Sequence, residues 1–162
     1  MRMKKTIYFM LFAILILVSF TGCSQKQEVA VQNAEWIISI EGTKEGTVEF
    51  TNIDAEKLSP KEITAILKKK DGSETEQNWK GYALKEVLGA YGVKEFSTVV
   101  VEAEDGYAKE YTPELVNSEG TILGTVLDGK PLDKADNKVQ LVVKDASGNM
   151  WIKNVAKIIV NK

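Results

Sequence analysis

The sequence predicts a single α+β domain that is rich in β-strands and built around one principal amphipathic helix. Short apolar and β-branched runs recur along the chain, separated by turn dipeptides, as is typical of strands. One stretch, Asn78–Gly92, instead repeats its apolar residues at helical period and ends in a glycine that suits a left-handed helix terminus. The stripe consists of Leu84, Val87, Leu88 and Tyr91. We therefore expect a mixed, β-rich fold whose sheet buries this stripe.

Residues 1–22 are predicted to be a signal peptide. A basic start precedes the apolar run Ile7–Phe20, which is short for a membrane span, and small residues follow it. The run ends before Cys23, the one cysteine of the chain. This arrangement resembles a bacterial lipoprotein signal, with Phe20 where Leu is usual, and it implies that Cys23 is lipidated. An ordinary signal peptide with an incidental cysteine, or an uncleaved anchor, is the alternative.

Charge and residue usage exclude several classes of function. Removing the three cations of the signal segment leaves 18 cationic against 23 acidic residues, a formal charge of −5. Such a surface argues against nucleic acid or an anionic lipid face as a partner. The chain has no histidine, and lipidation would consume its single thiol. Disulfides, Cys/His zinc sites, histidine-assisted nucleophiles and histidine haem ligands are therefore excluded.

A polar tether separates the lipidation site from the domain. Residues 23–34 lack periodicity, so we expect a flexible connection, and the domain is assigned to 35–162. Pro60 limits any helix before it to about one turn, and Thr112-Pro113 suits the start of another short helix. Ser73–Trp79 is polar and is expected to be an edge or partly exposed strand. The predicted strands are Trp36–Ile40, Gly46–Thr51, Ile63–Lys69, Ser73–Trp79, Thr98–Ala103, Ala108–Tyr111, Thr121–Leu127, Val139–Val143 and Trp151–Val160.

Four motifs follow one another between Ile63 and Val160. They are Trp79-x-Gly81-x-x-Leu84, Asp105-Gly106-Tyr107, Asp128-Gly129-x-Pro131-Leu132 and Trp151-x-Lys153. In this order they resemble the molybdopterin-binding domain of sulfite-oxidase-type oxidoreductases, in the short form found on bacterial surface lipoproteins. The resemblance implies a mixed β and α fold with a central cleft. In the full enzymes this cleft holds a pterin-bound molybdenum that oxidises or reduces small oxo compounds.

Two groups that the resemblance implies are missing from this chain. The enzymes hold molybdenum through a cysteine on the segment before Trp-x-Gly, which here is Ile63–Asn78 and contains none; the nearest counterpart stretch is Ile66–Lys69. Gln140 occupies the sequence position that corresponds to an arginine of the enzymes. Lys153 corresponds to a lysine that helps to hold the pterin phosphate. Molybdopterin chemistry requires a soft thiolate and an anion-clamping guanidinium. We therefore expect no cofactor and no metal, with molybdopterin as the alternative.

The candidate residues of the cleft each have a second, purely structural interpretation. Trp79 could stack on a flat ring or plug the core, and Asp105 could face a ligand or cap its own turn. The lysine run 68–70 could attract an anion or serve as a solvated hairpin end. Glu102 and Glu104 share a strand face by spacing, but nothing in the sequence places a partner or a substrate near them, so a solvated face is expected. Aspartates such as Asp136 in the predicted turns lack the spacing of a calcium loop. The candidate cleft residues are Trp79, Gly81, Tyr82, Asp105, Tyr107, Gln140 and Lys153.

These observations lead to one functional hypothesis and two alternatives. The hypothesis is a non-catalytic module, lipid-anchored at the extracytoplasmic face of the bacterial membrane, that binds a small planar or anionic ligand or a surface partner protein. The first alternative is a molybdopterin-dependent oxidoreductase or electron-transfer component that binds the pterin without a cysteine. The second is a purely structural or assembly lipoprotein. No residue is assigned a catalytic role.

Overall fold

A computed structural model describes residues 33–133 and 138–162; Cys23, most of the predicted tether and Asp136 lie outside these ranges. Residues Ala34–Lys162 form one compact unit. The described chain contains no helix with the length and apolarity that a membrane crossing requires. Its elements are β1 Ile37–Thr43, β2 Gly46–Thr51, α1 Asn52–Ala55, β3 Lys61–Lys68, β4 Glu74–Ala83, α2 Leu84–Ala90, β5 Thr98–Ala103, β6 Ala108–Tyr111, α3 Pro113–Val116, β7 Thr121–Leu127, β8 Lys130–Pro131, β9 Gln140–Val143, a 3₁₀ turn Gly148–Met150 and β10 Val155–Asn161.

The strands form two five-stranded sheets, a division that the sequence did not specify. The first has the order β2-β1-β10-β5-β6 and contains one parallel pair, β1 with β10, in which Ile40 faces Ile158. The second has the order β3-β4-β7-β8, and β9 also pairs with β7. Buried residues of both sheets and of α2 belong to one hydrophobic cluster. The predicted β-rich α+β class is confirmed.

Strand β3 is the edge of the second sheet. Its exposed side chains form ion pairs and a hydrogen bond with exposed side chains of β4. Glu62 pairs with Lys80 at 3.2 Å, and Lys68 pairs with Glu74 at 3.7 Å. Between them, the Thr64 hydroxyl donates to Asn78 at 2.9 Å. Ser73–Trp79, expected to be an edge or partly exposed strand, is exposed along most of its length and buried at Trp79. The beginning of β4 pairs only with β3, but from Trp79 onward β4 also pairs with β7.

The principal helix is shorter than the sequence predicts. It begins at Leu84, and the Trp79–Ala83 segment is extended and paired with β7. Gly81 makes this pairing close, because a Cβ atom there would lie 2.1 Å from the carbonyl oxygen of Leu123. A register shift falls between Lys80 and Gly81. Gly81, one of the candidate cleft residues, therefore accommodates a neighbouring strand.

The apolar stripe and the end of α2 agree with the prediction. Leu84, Val87 and Leu88 are at most 1% exposed, and the Tyr91 hydroxyl donates to the carbonyl oxygen of Glu49 at 3.1 Å. At the C-terminus the N–H of Gly92 donates to Gly89 and that of Val93 donates to Leu88. With Gly92 at a φ of 73°, these two bonds form a Schellman motif. Period and glycine position were sufficient to predict this part of the helix.

The last strand also begins later than the sequence predicts. Residues 148–150 form a 3₁₀ turn, and Ile152 makes only an isolated bridge with Leu141 before β10 starts at Val155. The helix start at Thr112-Pro113 is confirmed, although the Thr112 side chain makes no capping hydrogen bond to the helix backbone. The delayed start of β10 leaves the 148–150 turn free to form part of a cavity.

Candidate functional site

A cavity of about 710 Å³ opens between the ends of the two sheets. We call it the basic cavity, because its lining includes four lysines and no carboxylate, whereas each of the three other cavities described below contains a glutamate. A site of this size and sign can hold a small organic anion. Its lining residues are Leu67, Lys68, Lys69, Lys70, Tyr107, Lys109, Ser147, Gly148, Asn149 and Trp151.

The first wall is the end of β3 and the hairpin that follows it. Lys69 begins a tight turn in which its N–H donates to the carbonyl oxygen of Ser73 at 2.9 Å, and Gly72 takes a φ of 83°. Asp71 braces the turn by accepting hydrogen bonds from the Ser73 hydroxyl and N–H, which hold the pKa of the Asp71 carboxyl below its usual range. Lysines 68, 69 and 70 therefore stand on a defined hairpin.

The second wall is the β5–β6 hairpin of the other sheet. Asp105 accepts a hydrogen bond from the N–H of Tyr107 at 2.9 Å. It therefore caps its own turn, which is the structural role considered for it from the sequence. The Tyr107 side chain is 45% exposed, and its hydroxyl donates to the carbonyl oxygen of Asn149 at 3.1 Å. The Lys109 ammonium lies 5.6 Å from the centroid of the Tyr107 ring, within cation–π range.

The third side of the cavity is the 148–150 turn, which contacts both walls. A Cβ atom at Gly148 would lie 2.6 Å from the carbonyl oxygen of Lys68, so only glycine allows this close approach. From the other sheet, the Tyr111 hydroxyl donates to the carbonyl oxygen of Met150 at 2.7 Å. Burial raises the pKa of Tyr111 well above its usual value, so this donor keeps its proton at physiological pH.

Trp151 forms the apolar back of the cavity, and Trp79 packs behind it. Trp151 lines it, is 5% exposed, and donates its indole N–H to the carbonyl oxygen of Val143 at 2.8 Å. Trp79 packs against Trp151, with ring centroids 6.1 Å apart, and does not line the basic cavity. Its indole N–H donates to Gln77 at 3.2 Å. Trp79 therefore supports the cavity wall from within the core.

The structure distributes the seven predicted cleft residues over several places. Only Tyr107 lines the basic cavity. Trp79 contributes to a separate cavity of about 360 Å³, with Glu62 and Lys80, and Tyr82 lines one of about 270 Å³. Gln140 is 7% exposed and pairs through its backbone with Gly124, while Gly81 is buried between strands. Asp105 and Lys153 are exposed and line none of the four cavities.

The lining residues that sequence reasoning did not assign are chiefly the lysines and Trp151. For the run Lys68-Lys69-Lys70, the sequence allows both an anion attractor and a solvated hairpin end. Lys109 carried no local signal, because its position opposite that run depends on the pairing of distant strands. A fourth cavity of about 350 Å³, with Lys94 and Lys162, lies away from these residues and includes Glu95.

The side chains of the stretch Ile66–Lys69 determine whether this chain could hold a metal in the way that the resemblance implies. Leu67, Lys68 and Lys69 of this stretch line the basic cavity, so the segment where the resemblance implies a metal ligand does face a cavity. An isobutyl group and ammonium groups cannot replace a soft thiolate. Within the described ranges, no three His, Cys, Asp or Glu side chains cluster as a metal site would require. The donor set fits an anion and does not fit a cysteine-coordinated metal.

This chain belongs to the family of oxidoreductase molybdopterin-binding domains, whose family model matches residues 25–162. The prediction of this family is confirmed. Among solved structures, the sulfane dehydrogenase SoxCD from Paracoccus pantotrophus is similar, with a TM-score of 0.70 and 21% identity. The match covers 78% of this chain and 38% of that chain, so the chain spans well under half of that protein's length. The likeness shows a shared fold. A comparison with curated proteins gives no match.

Proposed function

We propose that this protein is a non-catalytic binding module that holds a small planar anion in the basic cavity. The observation that carries the proposal is the cavity lining, which contains Lys68, Lys69, Lys70 and Lys109. Lys68 and Lys69 belong to the stretch where the family resemblance implies a cysteine. The cations supply attraction for a negative group. The rings of Tyr107 and Trp151 supply flat apolar surface.

The charge pattern of the whole chain supports a localised anion site. Outside the signal segment the formal charge is −5, yet no carboxylate lines the basic cavity. An anionic ligand therefore meets a chain of net negative charge and a basic cavity without carboxylates, which favours specific over general binding. A surface partner protein that inserts an acidic side chain would use the same attraction.

We further propose that the module is displayed at the extracytoplasmic face of the bacterial membrane through a lipid on Cys23. The support is the sequence alone: a basic start, an apolar run and a single cysteine at the end of small residues. Replacing Cys23→Ser should shift the protein from the membrane fraction to the soluble fraction and abolish incorporation of labelled palmitate. Retention of label or of membrane association in the variant would contradict the lipid anchor.

The cofactor question is tested on protein purified from a host that makes molybdopterin. We expect substoichiometric molybdenum by mass spectrometry and no fluorescent pterin after acid release. Stoichiometric molybdenum or pterin would overturn the non-catalytic assignment and favour a molybdopterin-dependent oxidoreductase that lacks the cysteine ligand. The measurement includes a family member with an intact cysteine, expressed in the same host, as the positive control.

Ligand binding is tested by titrating the labelled protein with a pterin carboxylate, a planar anion, and following backbone amide signals. We expect the largest shifts at 67–70, 107–109 and 147–151, the three segments that line the cavity. Shifts should fall as salt rises, because the attraction is electrostatic and partly exposed. An unchanged spectrum at millimolar probe, or shifts centred elsewhere, would sink the proposal.

A further inference from the structure

The lysines of the basic cavity come from two walls that belong to different sheets. Lys68 ends β3, and Lys69 and Lys70 continue into its hairpin, which we call the hairpin wall. Lys109 stands on β6, which we call the β6 wall. A ligand between the walls therefore meets positive charge on two sides, and each charge is supplied by a separate part of the chain.

The separation of the two walls is set before a ligand binds. The 148–150 turn lies between them, with the backbone of Gly148 close against the carbonyl oxygen of Lys68. On its other side, Asn149 accepts the hydroxyl hydrogen bond of Tyr107 at 3.1 Å. A preformed site loses less conformational freedom on binding and discriminates between ligands by shape and charge spacing.

The charges on both walls are available to a ligand. Within the described residues, Lys68 has an ion pair with Glu74 at 3.7 Å, in which both side chains are about half exposed, and Lys69, Lys70 and Lys109 have none within 4.0 Å. Lys109 instead lies over the ring of Tyr107. The apolar part of the lining is formed by Leu67, Tyr107 and Trp151.

We propose that the basic cavity selects a flat organic dianion, with one anionic group on each wall, and that Lys109 sets this preference. The inference rests on the proposed function, since it specifies the ligand class of the same site. A monoanion can pair with the hairpin wall and leaves Lys109 without a counterion. A second anionic group pairs with Lys109, so the gain from the second charge depends on that lysine.

The experiment compares terephthalate, a flat dianion, with its monomethyl ester, which has the same body and one charge. Calorimetric titrations at constant ionic strength measure both affinities for the wild-type protein and for Lys109→Gln, Lys109→Arg and Lys94→Gln. We expect the wild type to prefer the dianion by about fivefold, the size of one partly exposed ion pair. Lys109→Gln should reduce the preference to near one, and Lys109→Arg should retain it.

Lys94→Gln is the matched control, because Lys94 lies in a separate cavity and should leave both affinities unchanged. Circular dichroism and the amide spectrum verify that each variant is folded. Equal wild-type affinities for the two probes, or an unchanged preference in Lys109→Gln, would overturn this inference and leave the binding of a planar anion standing. Absence of binding by both terephthalate probes and by the pterin carboxylate would overturn the proposed function as well.

Discussion

The indole of Trp79 meets the indole of Trp151 edge to face, with ring planes at 79°. The two residues belong to different segments, β4 and the stretch after the 148–150 turn. Trp79 is 2% exposed and belongs to the hydrophobic core, whereas Trp151 lines the basic cavity. The packing of the core therefore determines where one wall of the cavity lies.

Replacing Trp79→Ala should lower the free energy of unfolding by about 3–5 kcal/mol, the usual loss for a large buried aromatic side chain. Chemical denaturation monitored by circular dichroism measures the loss. Trp36→Ala is the control, because Trp36 is partly buried and contacts Phe50 at a centroid distance of 5.4 Å. The control should cost about half as much, and equal losses would contradict the core position assigned to Trp79.

Replacing Gly81→Ala should destabilise the domain by about 3 kcal/mol, since the added methyl group meets backbone atoms of Leu123 and Gly124 that cannot move without disturbing β7. Gly89→Ala is the matched control. Gly89 is exposed in α2 and has no atom within 4 Å of the added Cβ position, so this change should stabilise by about 0.5–1 kcal/mol. Melting temperatures that move in the same direction would contradict the close strand pairing at Gly81.

The ion pairs of Glu119 make the stability of the fold decrease as the pH falls into the acid range. Hydrogen bonds from Lys61 and Lys85 lower the pKa of its carboxyl from 4.5 to about 2. Because the folded-state pKa is depressed, the contribution is present above pH 4.5 and is lost as pH falls towards 2. Glu119→Gln should therefore melt at a lower temperature than the wild type at pH 7, and the two should converge near pH 2. A difference that persists at pH 2, or resists high salt, would contradict the ion-pair explanation.

Replacing Tyr111→Phe should cost about 1–2 kcal/mol, since it removes the hydrogen bond to Met150 from a fully buried side chain. Tyr107→Phe removes an equivalent bond to Asn149 from an exposed side chain and should cost less than about 0.5 kcal/mol. Amide hydrogen exchange at residues 148–151 distinguishes the two, because only the Tyr111 variant should exchange much faster. Similar exchange in both variants would show that the turn is held by other contacts.

Local periodicity was sufficient to predict several elements of this fold. The strands Gly46–Thr51, Thr98–Ala103, Ala108–Tyr111 and Thr121–Leu127 have the predicted bounds, and the α2 stripe is buried as expected. Each of these signals lies within a few residues of the element it specifies. The extended conformation of Trp79–Ala83 could not be predicted from local signals. It depends on contact between Gly81 and β7, which lies more than forty residues later in the sequence.

The candidate site was predicted less well, for the same physical reason. Tyr107 alone among the seven candidate residues lines the basic cavity, since the cavity is formed where two hairpins of different sheets approach each other. The lysine run 68–70 was visible in the sequence, but its partner Lys109 is an ordinary strand residue. The lysine run forms the proposed anion site, and not merely a solvated hairpin end, because the β6 wall lies opposite it. The position of that wall depends on the topology and not on local sequence.

The parallel pairing of β1 with β10 has a consequence for how the domain folds. These strands come from opposite ends of the described chain, and β10 occupies the centre of its sheet between β1 and β5. The sheet therefore cannot form completely until both ends of the domain are present. The entropy cost of closing this long loop precedes the stabilisation that the β1–β10 contacts provide. We expect slow, all-or-none folding on the millisecond-to-second scale, during which the exposed edges of β1 and β5 are the surfaces most prone to aggregation.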